Sequence, residues 1–234
     1  GDISDCTNKG TVVCDAKLSQ NLYIGGVLGY QVEKAEYISG CGKGTENFLM
    51  LTLGTGVGSG IIIDGKIIRG SNYCGGEMGH MVINVDGIPC NCGRKGCWEA
   101  YASATACIRQ TKRAMLENKD SKMWELVNGN IDDVSGRTAW DAMRMGDKTA
   151  KEVVDKFIKY LAAGITNTIN IFQPDVLCIG GGVCNERDYL LKPLMEKVDH
   201  EQYTRANNKK TKVVIAELGN DAGIIGAAAL GMNV

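Results

Sequence analysis

The sequence predicts an α/β fold, and three observations carry that expectation. Two short apolar runs, Phe48 to Leu53 (FLMLTL) and Val176 to Ile179 (VLCI), each pass directly into glycines. Buried strands that end in glycines are the usual edge for a ligand in open α/β sheets. Between them, Asp147 to Phe172 carries one long helical pattern. There Val153, Val154, Phe157, Ile158, Leu161, Ile165 and Ile169 recur at three- and four-residue steps, which makes one buried face.

Taken in order, residues 1–34 show turn signals at Asn8-Lys9-Gly10, a short strand at Thr11 to Cys14 and a short helix from Ile24 to Lys34. Glu36 to Gly44 reads as a helix end and a glycine loop before the first apolar strand. That strand runs into Gly54-Thr55-Gly56-Val57-Gly58-Ser59-Gly60. Glycines here let backbone N–H groups approach a phosphate, with the Thr55 and Ser59 hydroxyls as further donors. The same run also fits a tight hairpin, since Ile61-Ile62-Ile63, the turn Asp64-Gly65 and Lys66-Ile67-Ile68 follow it. Ala100 to Leu116 reads as one amphipathic helix, and Asn118 to Gly136 as loop with a short helix. The long helix ends at Gln173-Pro174, because proline disfavours helix in the residue before it. After the second strand come Gly180-Gly181-Gly182, a helix from Arg187 to Val198 containing Pro193, a strand at Lys212 to Glu217 and a small-residue helix at Gly223 to Leu230.

The densest chemistry lies in Gly75 to Glu99, GGEMGHMVINVDGIPCNCGRKGCWE. His80, Cys90, Cys92 and Cys97 can converge as a tetrahedral Cys3His zinc site. Gly93 and Gly96 permit the backbone conformations that aim the sulfurs inward. Four protein ligands leave no open position, so such a zinc is structural rather than catalytic. Glu77 and Glu99 flank the loop, and carboxylates placed there are acceptors suited to the vicinal hydroxyls of a sugar.

A chain of 234 residues can bury a substantial core, and its 26 basic and 27 acidic side chains nearly cancel. The balance argues against a nucleic-acid-binding surface as the main feature. No apolar run reaches the roughly 18 residues of a membrane span, and no leader pattern opens the sequence. Of ten cysteines, three belong to the loop and the rest are scattered, with Cys178 in an apolar strand. That usage fits reduced thiols in a cytoplasmic protein.

GGEMGHM followed by CNCGRKGCWEAYASA resembles the signature of the ROK family, which holds bacterial sugar kinases and sugar-responsive repressors. Both halves, E-x-G-H and C-x-C-G-x-x-G-C-x-E, are met without substitution. The resemblance implies zinc on His80, Cys90, Cys92 and Cys97, and sugar on Glu77, His80 and Glu99. It implies that LGTGVGSG, with Gly54, Thr55, Gly56 and Gly58, holds the phosphates of ATP, and that Gly180, Gly181 and Gly182 lie against its adenosine. Magnesium would arrive with ATP. The implied fold is the two-lobed, actin-like ATPase (ribonuclease H-like) fold, and the implied assembly a homodimer. The implied reaction is phosphorylation of a hexose, glucose first, with N-acetylmannosamine or another hexose as the alternative and a sugar-sensing repressor as a further one.

Two family motifs are absent from the sequence: an N-terminal D-x-G-G-T hairpin and N-D-A-N, which carries the catalytic aspartate. No catalytic base is therefore named. The expected division has residues 1–35 as a remnant of the N-terminal lobe and crossover. Residues 36–234 form the C-terminal lobe with the phosphate loop, the zinc loop and the adenosine-side glycines.

Overall fold

A computed structural model describes residues 24–219 together with Asp221, Ala222 and Ile225. The strand expected at Thr11 to Cys14 lies outside the described residues, as does the helix at Gly223 to Leu230 except for Ile225. Helix α1 spans Ile24–Ser39, longer than the sequence suggests, and the expected division after residue 35 falls inside it. Strands β1 (Phe48–Leu53), β2 (Val57–Ile63) and β3 (Lys66–Ile67) form a meander. Strand β4 (Val176–Gly180) pairs in parallel with β1, and β5 (Lys212–Ile215) in parallel with β4. The five strands lie in the order β3-β2-β1-β4-β5, with the two most apolar ones at the centre.

Alternation along the strands divides the core into two faces. Leu49, Leu51 and Leu53 of β1 join Leu177 and Ile179 of β4 on one side, while Phe48, Met50 and Cys178 face the other beside Val32 and Tyr37 of α1. The first side is covered by the helices that follow. These are α2 (Glu99–Ala102), α3 (Ala104–Glu117), α4 (Met123–Leu126), α5 (Thr138–Arg144), α6 (Lys148–Phe172) and α7 (Asp188–Glu201).

Helix α6 is the expected long helix, and all seven of its periodic apolar residues are buried. Asp147 caps it by accepting from the Ala150 amide at 2.7 Å, and Gln173 closes it in the left-handed region with φ 42°. The single helix expected over Ala100 to Leu116 is instead two. Ser103 has extended φ and ψ, and its hydroxyl accepts from the Ala106 amide at 3.0 Å, so it starts α3 as an N-cap. Helix α5 was not anticipated. The glycine run is also divided, because β2 begins at Val57 and pairs Gly58 with Thr52, which leaves only Gly54 to Gly56 as the turn.

Candidate functional site

Parallel pairing sets Thr52 opposite Gly180, so the β1–β2 turn and the glycines after β4 sit side by side at the carboxyl ends of the central strands. Gly181 has φ 107°, and a Cβ there would stand 2.1 Å from the Leu53 carbonyl oxygen, so only glycine fits. Beside it lies a cavity of about 400 Å³ whose walls include Gly180, Gly181, Asn185, Arg187 and Ala216. A larger hollow of about 550 Å³, bordered by Asn47, Asp175 and Lys209, is at the amino ends of the strands, away from every glycine segment. The smaller cavity is the one placed for a ligand.

The four loop ligands come together. Their ligand atoms all lie within 4.8 Å of one another. Cys92 Sγ and Cys97 Sγ are 3.6 Å apart, and His80 Nδ1 is 3.7 Å from Cys90 Sγ. A tetrahedron with Zn–S near 2.3 Å and Zn–N near 2.0–2.1 Å has edges of about 3.8 and 3.5 Å. The donor set thus fits zinc in both chemistry and spacing.

Backbone bonds hold this loop closed. Cys90 N donates to Arg94 O at 2.8 Å, Gly96 N to Ile88 O at 2.8 Å and Trp98 N to Met81 O at 2.7 Å. Gly96 has φ 78°, and a Cβ there would strike Asn84 O. The thiols differ in acidity. Burial, with Cys92 and Cys90 alongside, pushes Cys97 up to about 12, and burial likewise raises Cys90. The Arg94 amide lowers exposed Cys92. A bound cation would displace all three protons.

The sugar candidates are placed unevenly. Glu77 is exposed, just before the 3-10 turn Met78–His80. His80 is half-buried with Nδ1 toward the thiols, which leaves its other ring nitrogen on the opposite edge. Glu99 is half-buried, and its Oε2 accepts from the Val57 amide at 3.0 Å.

The hairpin glycines have distinct neighbours. A Cβ on Gly54 or Gly182 would meet nothing within 4 Å, whereas on Gly56 it would meet the Glu99 carboxylate and on Gly58 the Thr52 hydroxyl. Gly54 N donates to Gly56 O, so among the described residues the amides of Thr55 and Gly56 at the tip have no protein partner. The Ser59 hydroxyl, expected as a phosphate donor, is otherwise engaged. It donates to Gly76 O and accepts from Met78 N, which ties the histidine turn to β2.

Residues 17–233 match the ROK family. The chain belongs to that family. It is 37% identical to the glucokinase of Thermotoga maritima over 192 residues, which cover 82% of this chain and 60% of that enzyme. The ROK family glucokinase of Streptomyces griseus, solved in complex with glucose and AMPPNP, is 32% identical with a TM-score of 0.79, over 87% of this chain and 66% of that one. A ROK family transcriptional regulator, a homologue of the E. coli MLC protein, is 27% identical with a TM-score of 0.72, over 86% of this chain and 49% of that one. The chain thus spans less than two thirds of the length of these relatives, and its sheet is that of the actin-like ATPase fold.

Sequence reasoning missed the supports of the ROK loop. The Trp98 indole donates to Tyr160 O of α6 at 2.9 Å, and the Tyr101 hydroxyl accepts from Ile88 N at 2.7 Å and from the Asn84 side-chain amide. Two aromatics just after the last cysteine of a polar loop were the available signal.

Proposed function

We propose that this chain serves an ATP-dependent hexose kinase, with glucose as the first candidate and N-acetylmannosamine or another hexose as the alternative. The observation that carries this reading is the placing of Glu99 between the cysteine loop and the tip of the β1–β2 turn, within one hydrogen bond of Val57. A group that accepts from sugar hydroxyls would there lie next to amides suited to a phosphate. The glucose and AMPPNP complex of the Streptomyces griseus relative supports the pairing of substrates.

In this reading His80, Cys90, Cys92 and Cys97 hold a structural zinc, whose contribution is to fix the loop. Glu77, His80 and Glu99 orient the sugar. The amides of Thr55 and Gly56, with Gly54 and Gly58 alongside, receive the phosphates of magnesium-bound ATP. Gly180 and Gly181, which line the 400 Å³ cavity, and Gly182 after them border the nucleoside. Phosphoryl transfer is chiefly positioning and charge stabilisation, so these parts account for most of the chemistry. A general base contributes roughly 10²–10⁴-fold, and no residue of this chain is assigned to it. Residues 36–234 would form the lobe that bears these segments, and residues 1–35 a remnant of the N-terminal lobe with the crossover. A cytoplasmic homodimer completes the proposal.

A sugar-sensing repressor is the second reading, favoured by the likeness to the transcriptional regulator. The hairpin argues against it, because a sensor has no use for a phosphate turn. The test is ATP-dependent ADP release by zinc-replete protein with glucose, N-acetylmannosamine, mannose and fructose in turn. Turnover on one sugar supports the kinase. Sugar binding by calorimetry without turnover on any supports the sensor.

A further inference from the structure

The Glu99 carboxylate is shared between two segments that the sequence separates. Glu99 opens α2 two residues after Cys97, and its chain position is held by the buried Trp98 and by the Ser103 amide donating to Glu99 O at 3.2 Å. Across 42 residues, Oε2 accepts from the Val57 amide at 3.0 Å. Gly56 shows the cost of that contact. A Cβ on Gly56 would stand 2.1 Å from the same oxygen. Gly56 is not among the residues of positive φ, so its backbone conformation does not call for glycine. The side-chain space at Gly56 is taken by the Glu99 carboxylate.

We propose that Glu99 is a positioning residue that couples the cysteine loop to the tip of the β1–β2 turn. An ordered loop fixes the carboxylate. The carboxylate holds the Val57 amide and with it the aim of Thr55 and Gly56. This rests on the reading above only in taking the turn as the phosphate site. A change at either segment is then felt at the other, and ligands at the two share one coupling free energy.

The test uses the zinc-loaded chain without sugar or nucleotide. Zinc content and hydrogen exchange at the Val57 amide are measured for wild type and for Glu99→Ala, Glu99→Gln and Gly56→Ala. Glu99→Ala should speed Val57 exchange roughly 10- to 100-fold, as expected on losing a hydrogen bond to a charged acceptor. Gly56→Ala should do the same by evicting the carboxylate, while zinc content stays at wild type. Glu99→Gln keeps an acceptor oxygen and should stay within about threefold of wild type. Unchanged Val57 exchange in both alanine variants, with zinc retained, would overturn the coupling. The expected exchange pattern in a chain that phosphorylates no sugar would uphold the coupling and remove the kinase reading alone.

Discussion

The cysteine loop and helix α6 gave the two strongest signals in the sequence, yet they are held in different ways. Helix α6 buries twelve of its 25 residues, and Phe157 meets Trp140 edge to face at 6.3 Å between ring centroids. The loop has exposed Asn84, Val85 and Asp86, two isolated β-bridges and a ring of thiols. A helix of that kind is stable through burial and does not depend on solution conditions such as metal or redox state. A loop of that kind is conditional, because its donors repel or compete for protons until a cation takes their place.

The contrast can be broken by experiment. The largest effect should come from Phe157→Ala, which removes a fully buried ring and should cost about 3–5 kcal/mol in urea unfolding. That loss should be the same with and without metal. Chelation should act only through the loop. With zinc a thousandfold above its Kd, withdrawal should remove about 4 kcal/mol, or roughly 10 °C in Tm for a chain of this size. A Tm that chelation leaves unchanged would show that the loop needs no metal.

A third test concerns pH. Glu33 of α1 is buried with one oxygen unpartnered, and burial raises its pKa from 4.5 to about 8. The folded state therefore holds a proton that the unfolded state releases. The penalty is absent below about pH 4.5 and complete above about pH 8, so stability falls between them by a few kcal/mol. Glu33→Gln should flatten that slope in Tm measured against pH.

A smaller effect belongs to the start of α6. Burial alone would raise the Asp147 carboxyl, but the Ala150 and Lys122 amides and the Ser121 hydroxyl outweigh it and hold the group below its usual value. Its contribution is present at neutral pH and lost as acid protonates it. Asp147→Ala should cost about 2 kcal/mol and blunt acid unfolding, with Asp147→Asn recovering part of it. The smallest is Arg113→Ala, whose partner Glu117 is also exposed, and it should leave Tm unchanged.

What was legible follows from the range of the interactions. Periodicity within one segment gave α6, β1 and β4, and spacing within 18 residues gave the ligand set from His80 to Cys97. The break at Ser103 was hidden because a serine between alanines fits a helix and a cap equally well. The meaning of the glycines was hidden for another reason. Gly56, Gly58 and Gly60 are filled by Glu99, Thr52 and Glu33, and those neighbours are set by topology rather than by local sequence. Of the glycines assigned to phosphate or nucleoside, Gly54 and Gly182 are the two where a Cβ would meet nothing within 4 Å.

Trp98 rests where α6 has Gly164, and a Cβ on that glycine would lie 1.9 Å from the indole. The two positions therefore form one lock and are not free to mutate separately during descent. A homologue with alanine at the helix position must reduce the aromatic or shift the loop. Substitutions at 98 and 164 should accordingly appear together across lineages, and a library that randomises both at once should recover folded pairs that neither single library contains.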